Sequence, residues 1–348
     1  MLTDYEQDLD LIRTRGQLAI ILLFLALMCS LPFVLSVGWL TWVNVTMVTI
    51  IAVIGIQILS GYAGLMFIGQ SALMGVSAYV TATLTTNFHY PFWVALPVAI
   101  VCSVIMGLLA GVPALRVKGF YLAITSIALQ FIFVFMITHA PASIFGQSAG
   151  LRVTAPTVGN IVFNNERSLF YLIFVFAVIA ILVSKNLMRS RVGRAFIAIR
   201  DNPVAARSTG VNLFRYKLLA FLVCSLFAGL AGSLWAIEVR WVASEQFTLF
   251  TSIWYLGIII IGGRGTLLGA VLGTIALRLI EEIVNQSGPS LLASIPGFVG
   301  VFALLNVIGG LVIALFLILQ PKGIVHAWSM MRNWVALWPF NYKLFDGR

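Results

Sequence analysis

Charge is what this sequence has least of. Only 9% of its 348 residues are Asp, Glu, Lys or Arg, against 61% hydrophobic residues and a mean hydropathy of +1.05. A soluble domain of that length needs far more polar surface, so a water-soluble fold is excluded. Histidine and cysteine are also scarce, at three of each. Cys29, Cys102 and Cys224 all lie inside apolar runs with neither metal-ligand nor loop-stapling spacing, and read as small buried hydrophobes. Catalytic signatures are missing as well. There is no Gly-x-x-x-x-Gly-Lys-Ser/Thr to cradle phosphates, no His-Glu-x-x-His and no Ser/His/Asp arrangement. The chain is therefore expected to bind no ATP, metal or cofactor and to catalyse no reaction itself. No carboxylate or histidine relay falls in mid-span, which counts against proton-coupled transport.

What is present comes in apolar blocks of about 17–25 residues, the length that crosses a hydrocarbon core of roughly 30 Å. Ten candidate spans follow: 17–37, 40–60, 66–86, 93–113, 119–139, 168–185, 213–236, 252–262, 266–283 and 299–320. The eighth and ninth are short and meet at Gly262-Gly263-Arg264-Gly265, as two spans or one re-entrant element, so eight to ten crossings are expected. The start is polar and acidic, and the first apolar run ends without a small-residue cleavage site, so it reads as a permanent span rather than a signal peptide.

Cation placement orients this all-α polytopic bundle. With both termini cytoplasmic, seventeen of the 21 Lys and Arg residues fall in cytoplasmic segments. Arg152, Arg167, Arg240 and Arg278 fall on the other side. Such asymmetry is the signature of inside-facing loops, and it explains the net charge of +10 without nucleic acid. The domain reading is a tail at 1–16, a membrane domain at 17–325 and a tail at 326–348. Residues 140–167 form a cap or connector outside. Residues 186–212 form a basic loop inside.

That loop carries helix punctuation. Asn202 is a good N-cap and Pro203 suits the first helical position. Val204–Thr209 supplies nearly two turns, and Gly210 fits the left-handed position that ends a helix. A helix of roughly 10 Å is too short to be stable alone and implies a docking partner.

The stretch GRAFIAIRDNPVAARSTGVNLFRYKLLAFLVCSLFAGLAGSL resembles the signature region of the branched-chain amino-acid ABC permease family, LivM-type. The matching positions are Gly193-Arg194-Ala195, Ile199-Arg200-Asp201, Ala205-Ala206 and Gly210, while Pro203 and Arg207 stand where members often carry acidic residues. GYAGLMFIGQSALMGVSAYV (61–80), RVKGFYLAITSIAL (116–129), IIIIGGRGTLLGAVLG (258–273) and LQPKGI (319–324) resemble the same family in the same order. The resemblance implies that this loop seats in a separate ATPase. It implies a second related permease subunit, two ATP-binding ATPase subunits and a periplasmic binding protein. It further implies location in a bacterial inner membrane, surrounded by lipid, and import of branched-chain amino acids or a related small polar solute. An ion-coupled secondary transporter working alone is the alternative.

Glycines mark the rest. Gly265, Gly269 and Gly273, and likewise Ser225, Gly229 and Ser233, form small-residue stripes that let helices approach closely. Gly61 and Gly64, and Gly262, Gly263 and Gly265, interrupt apolar runs, as turns at the membrane edge or as pathway breaks exposing backbone to solute. Arg278 with Glu281 and Glu282, near the end of the ninth span, read as a surface ion pair or an outer vestibule for a zwitterion.

Overall fold

The computed structural model describes residues 15–114, 120–141, 150–158 and 161–292, with isolated positions between 307 and 330. The tenth predicted span, Arg116 and Lys118, and nearly all of both terminal tails lie outside the described residues. Eleven α-helices are described: α1 (Arg15–Val34), α2 (Val37–Ile56), α3 (Gln70–Thr86), α4 (Phe92–Ala114), α5 (Phe120–His139), α6 (Glu166–Arg189), α7 (Arg191–Asp201), α8 (Pro203–Ser208), α9 (Leu213–Val239), α10 (Leu249–Gly262) and α11 (Leu267–Leu292). Among the described residues, six helices are long and apolar enough to cross a membrane. The protein is a polytopic helical membrane bundle.

α9 is its axis and packs against α2, α3 and α4. Small residues make this possible. A Cβ on Gly232 would lie 2.1 Å from the Met74 carbonyl oxygen, and one on Gly229 would lie 3.0 Å from Ile100 Cα. Ser233 accepts a 3.0 Å hydrogen bond from Thr81, and Ser103 donates to the Ser225 carbonyl at 3.1 Å. The stripe read from the sequence is thus the packing face of α9. In lipid, where apolar surface gives helices no reason to associate, such close contact and interhelical hydrogen bonding hold them together. The opposite pattern marks the periphery: Val101, Ile105 and Leu109 on α4, and Phe131 and Phe135 on α5, are exposed.

The ambiguous 252–283 region is two helices. α10 and α11 form a hairpin so tight that a Cβ on Gly262 would lie 1.9 Å from the Gly269 carbonyl oxygen. Gly269 and Gly273 serve this contact, whereas Gly265 lies in the turn with φ +79°. That removes Gly265 from the predicted helical stripe.

At the C-terminal end of α9 a small cap forms. β1 (Leu151–Arg152) pairs antiparallel with β4 (Trp241–Val242), and β2 (Thr157–Val158) pairs with β3 (Ile161–Val162). Between its two readings, cap and connector, the 140–167 segment is a folded cap in its described part.

One sequence expectation is overturned. α11 runs on to Leu292, so Arg278 is the twelfth and Glu281 the fifteenth of its 26 residues. The ion pair sits at mid-helix, not near an end of α11, a helix that is not one of the six long and apolar enough to cross a membrane. The expected span stopped at 283 because Glu281, Glu282 and Asn285 read as the polar edge of the membrane. Glu281 is instead paired with Arg278, and the helix continues past it.

Candidate functional site

The basic segment between α6 and α9 is mostly helix. Ser190 ends α6 and caps α7, its Oγ accepting from Val192 N at 3.1 Å. The corner allows no side chain at Gly193, where a Cβ would lie 2.2 Å from the Met188 carbonyl oxygen. Arg194 Nη1 donates to the Arg189 carbonyl at 3.2 Å across the same corner. α7 then buries Ala195, Phe196 and Ile199 against the bundle and turns Arg194 outward. The sequence reading did not find α7, although its apolar spacing at 192, 195, 196 and 199 carries the helical period.

The short helix α8 forms as its punctuation predicts. Asn202 Oδ1 accepts from the N–H groups of Val204 and Ala205 at 3.0 and 3.1 Å, with Pro203 first in the helix. Gly210 closes it with φ +86°. Ala206 is 3% exposed and anchors α8 on the bundle, while Val204 is 78% exposed. Pro203, Ala205 and Arg207 share that outward surface, and Asp201 at its edge is paired with Arg200 at 3.0 Å. The result is a small, cationic, shallow knob.

Directly beneath it lie both helix breaks. The last turn of α2 widens into a π-helical turn at Gln57–Tyr62, and residues 63–69 are non-helical before α3 begins. Gly64 has φ +71°, a backbone conformation in which a side chain is costly. On the other side, α10 ends at Gly262 and the chain turns through Gly263 and Gly265 into α11. The two breaks touch: a Cβ on Gly61 would lie 2.8 Å from Gly265 N. Gln57, fully buried, ties them by donating from Nε2 to the Gly263 carbonyl at 3.0 Å and the Thr266 carbonyl at 2.8 Å. Gly323 also lies against Gly263. Neither Gln57 nor Gly323 was singled out from sequence. A glutamine inside an otherwise apolar span is the signal that could have found the first, because a buried amide must be hydrogen-bonded.

Arg200 joins the knob to the breaks. Its Nη1 donates to the Gly61 carbonyl at 3.2 Å. Its stem lies over Gly64, where a Cβ would come 2.9 Å from Cγ, and its Nη1 would be 2.6 Å from a Cβ on Gly265. The guanidinium therefore satisfies a carbonyl that the broken helix leaves open, and it fits because Gly64 and Gly265 leave room.

A multi-helix membrane bundle with two interrupted helices in contact, and an amphipathic basic element seated over them at one end, has the build of a membrane transport subunit. The chain belongs to the family of branched-chain amino acid transport system permease components, whose model matches residues 38–319. It is 29% identical over 285 residues to the high-affinity branched-chain amino acid transport system permease protein LivM of Escherichia coli, covering 75% of this chain and 67% of that one. It is 28% identical to the protein of the same name from Salmonella typhimurium, over 78% of this chain and 70% of the relative. Shorter similarity, 34% identity over 31% of this chain and 33% of the relative, links it to the autoinducer 2 import system permease protein LsrC of Klebsiella pneumoniae. No solved structure matches significantly.

Proposed function

We propose that this chain is the membrane-spanning subunit of an ATP-driven importer, lying in a bacterial inner membrane with the α7–α8 knob in the cytoplasm. Separate ATPase subunits engage the knob. A second permease subunit completes the translocation path, and a periplasmic binding protein delivers the solute. Branched-chain amino acids or close relatives are the substrate class, in keeping with the LivM-named relatives. The observation that carries this reading is the Arg200 bridge. Movement imposed on α7 and α8 by an ATPase is transmitted to the Gly61–Gly64 and Gly262–Gly265 breaks through one hydrogen bond and a close-packed stem. The cation asymmetry supports the orientation.

Reconstitution in liposomes tests the proposal. Uptake of L-leucine, L-isoleucine or L-valine is expected only when ATPase subunits and ATP are supplied on the face bearing residues 203–208. Uptake by the chain alone, driven by a proton or sodium gradient, overturns it in favour of a secondary transporter.

A further inference from the structure

The Arg278–Glu281 pair belongs to neither the knob nor the helix breaks. It lies about 17 Å along α11 from Leu267, in a helix about 39 Å long. Its partner on the other side is also mid-helix: Arg278 Nε and Nη2 donate to Thr49 Oγ1 at 3.2 and 2.7 Å. Thr49 is the thirteenth residue of the 26-residue Val37–Tyr62 span. Thr49 thus holds the guanidinium inside that span, while the Arg278 carbonyl accepts from Trp42 Nε1 at 3.1 Å, nearer the span's Val37 end. Ionised groups are rare there, because removing each from water costs several kcal/mol even when paired, and an apolar pair would pack as well.

The pair also borders open space. A cavity of about 410 Å³ is lined by Trp235, Phe247, Trp254, Tyr255, Arg278 and Glu281, among others. A second, of about 220 Å³, lies against Trp42 and Val45 and shares Arg278, Glu281 and Asn285 with the first. The ion pair therefore stands in the wall common to both. The larger volume falls within the roughly 300–1,000 Å³ of small-molecule sites, and its lining combines aromatic side chains with Glu245, Gln246, Thr251, Arg278, Glu281 and Asn285. Arg278 and Glu281 lie 2.8 Å apart with side chains 18% and 20% exposed. Among the described residues, three of the five guanidinium N–H groups are engaged, by Thr49 and Glu281, which leaves two free. The Trp235 ring lies 6.0 Å from the guanidinium carbon, limiting its hydration.

We propose that the Arg278–Glu281 pair and the aromatic cavity beside it form a recognition station for the zwitterionic head of an α-amino acid within the membrane. Arg278 receives the carboxylate on its two free N–H groups, Glu281 receives the ammonium, and the Trp235, Phe247 and Tyr255 side of the cavity receives the apolar side chain. A solute bearing only one of the two charges leaves the other member of the pair without its partner, so monopolar analogues are disfavoured. This station rests on the reading of the chain as an amino-acid importer subunit.

Two measurements on the reconstituted complete importer test it. In the first, Arg278→Met and Glu281→Gln are combined, replacing the pair with a neutral one of similar size. Uptake of L-leucine, L-isoleucine or L-valine per ATP hydrolysed is expected to fall about tenfold or more, the scale of losing charge-assisted hydrogen bonds, while binding-protein-stimulated hydrolysis persists. Wild-type uptake per ATP in this variant overturns the station and leaves the pair a structural staple. The second needs no variant. Tryptophan fluorescence of the wild-type importer, without binding protein, is titrated with each of the twenty L-α-amino acids and with isopentylamine and 4-methylpentanoate. A saturable change with at least one amino acid and none with the monopolar analogues is expected. Absence of any saturable change, or equal response to the analogues, overturns the station. Failure of the wild-type importer to couple uptake to ATP is a different outcome, and refutes the importer reading itself.

Discussion

Replacing Arg200 with Met keeps the stem that covers Gly64 and removes the donor to the Gly61 carbonyl. A hydrogen bond from a charged donor is worth about 1.5–3 kcal/mol. The Arg200 side chain is 36% exposed and shares its charge with Asp201, so solvent screening reduces the usable part to about 1 kcal/mol. Spent on the equilibrium between two transport states, that amounts to about a fivefold shift. The expected result is an importer that assembles normally and hydrolyses ATP, but carries about fivefold less solute per ATP. Substitution of Arg207, exposed on the knob, is expected instead to change how tightly the ATPase subunits bind. The assay is simultaneous uptake and phosphate release in proteoliposomes, together with co-purification of the ATPase subunits. An Arg200→Met importer with wild-type solute per ATP refutes the idea that this side chain transmits movement. Combining Arg200→Met with Gly64→Ala sharpens the test. Both disturb one contact, so their effects are expected to sum to less than the two separately.

Two further expectations concern stability and assembly. Gly232→Ala places a methyl 2.1 Å from a backbone oxygen of α3 and is expected to lower stability by about 2 kcal/mol or more, read as a fall in melting temperature in detergent. Gly38→Ala, with nothing within 4 Å of the new methyl, is expected to be neutral or to stabilise by up to about 1 kcal/mol; equal effects at the two sites refute the close-packing account of α9. Asn202→Ala removes the acceptor that caps α8 and costs about 1 kcal/mol locally. Weaker retention of ATPase subunits on unaltered membrane insertion is expected, and undiminished retention counts against α8 as the docking element.

The amino-acid sequence alone determined what depends on local chemistry. Block length and hydropathy gave a polytopic bundle, in which six described helices are long and apolar enough to cross, because a bilayer of fixed thickness admits only a narrow range of helix lengths. Asn202, Pro203 and Gly210 gave α8 nearly residue by residue, since capping is settled by neighbours in the chain. The two glycine breaks were visible as interruptions for the same reason. Their meeting was not. Only the tertiary structure brought Gly61 against Gly265, set Gln57 between them and laid Arg200 across both, because these contacts join positions more than 130 residues apart. The Arg278–Glu281 pair was legible from its spacing, but its place at mid-helix was not, for a related cause. Charges in a sequence read as a membrane edge, and only a partner from another helix, here Thr49, reveals that they lie inside. Sequence thus decided which segments could enter the membrane and where their helices stop. Packing decided which of the interruptions and charges face one another, because that depends on helix rotation and neighbour choice, which small residues permit but do not specify.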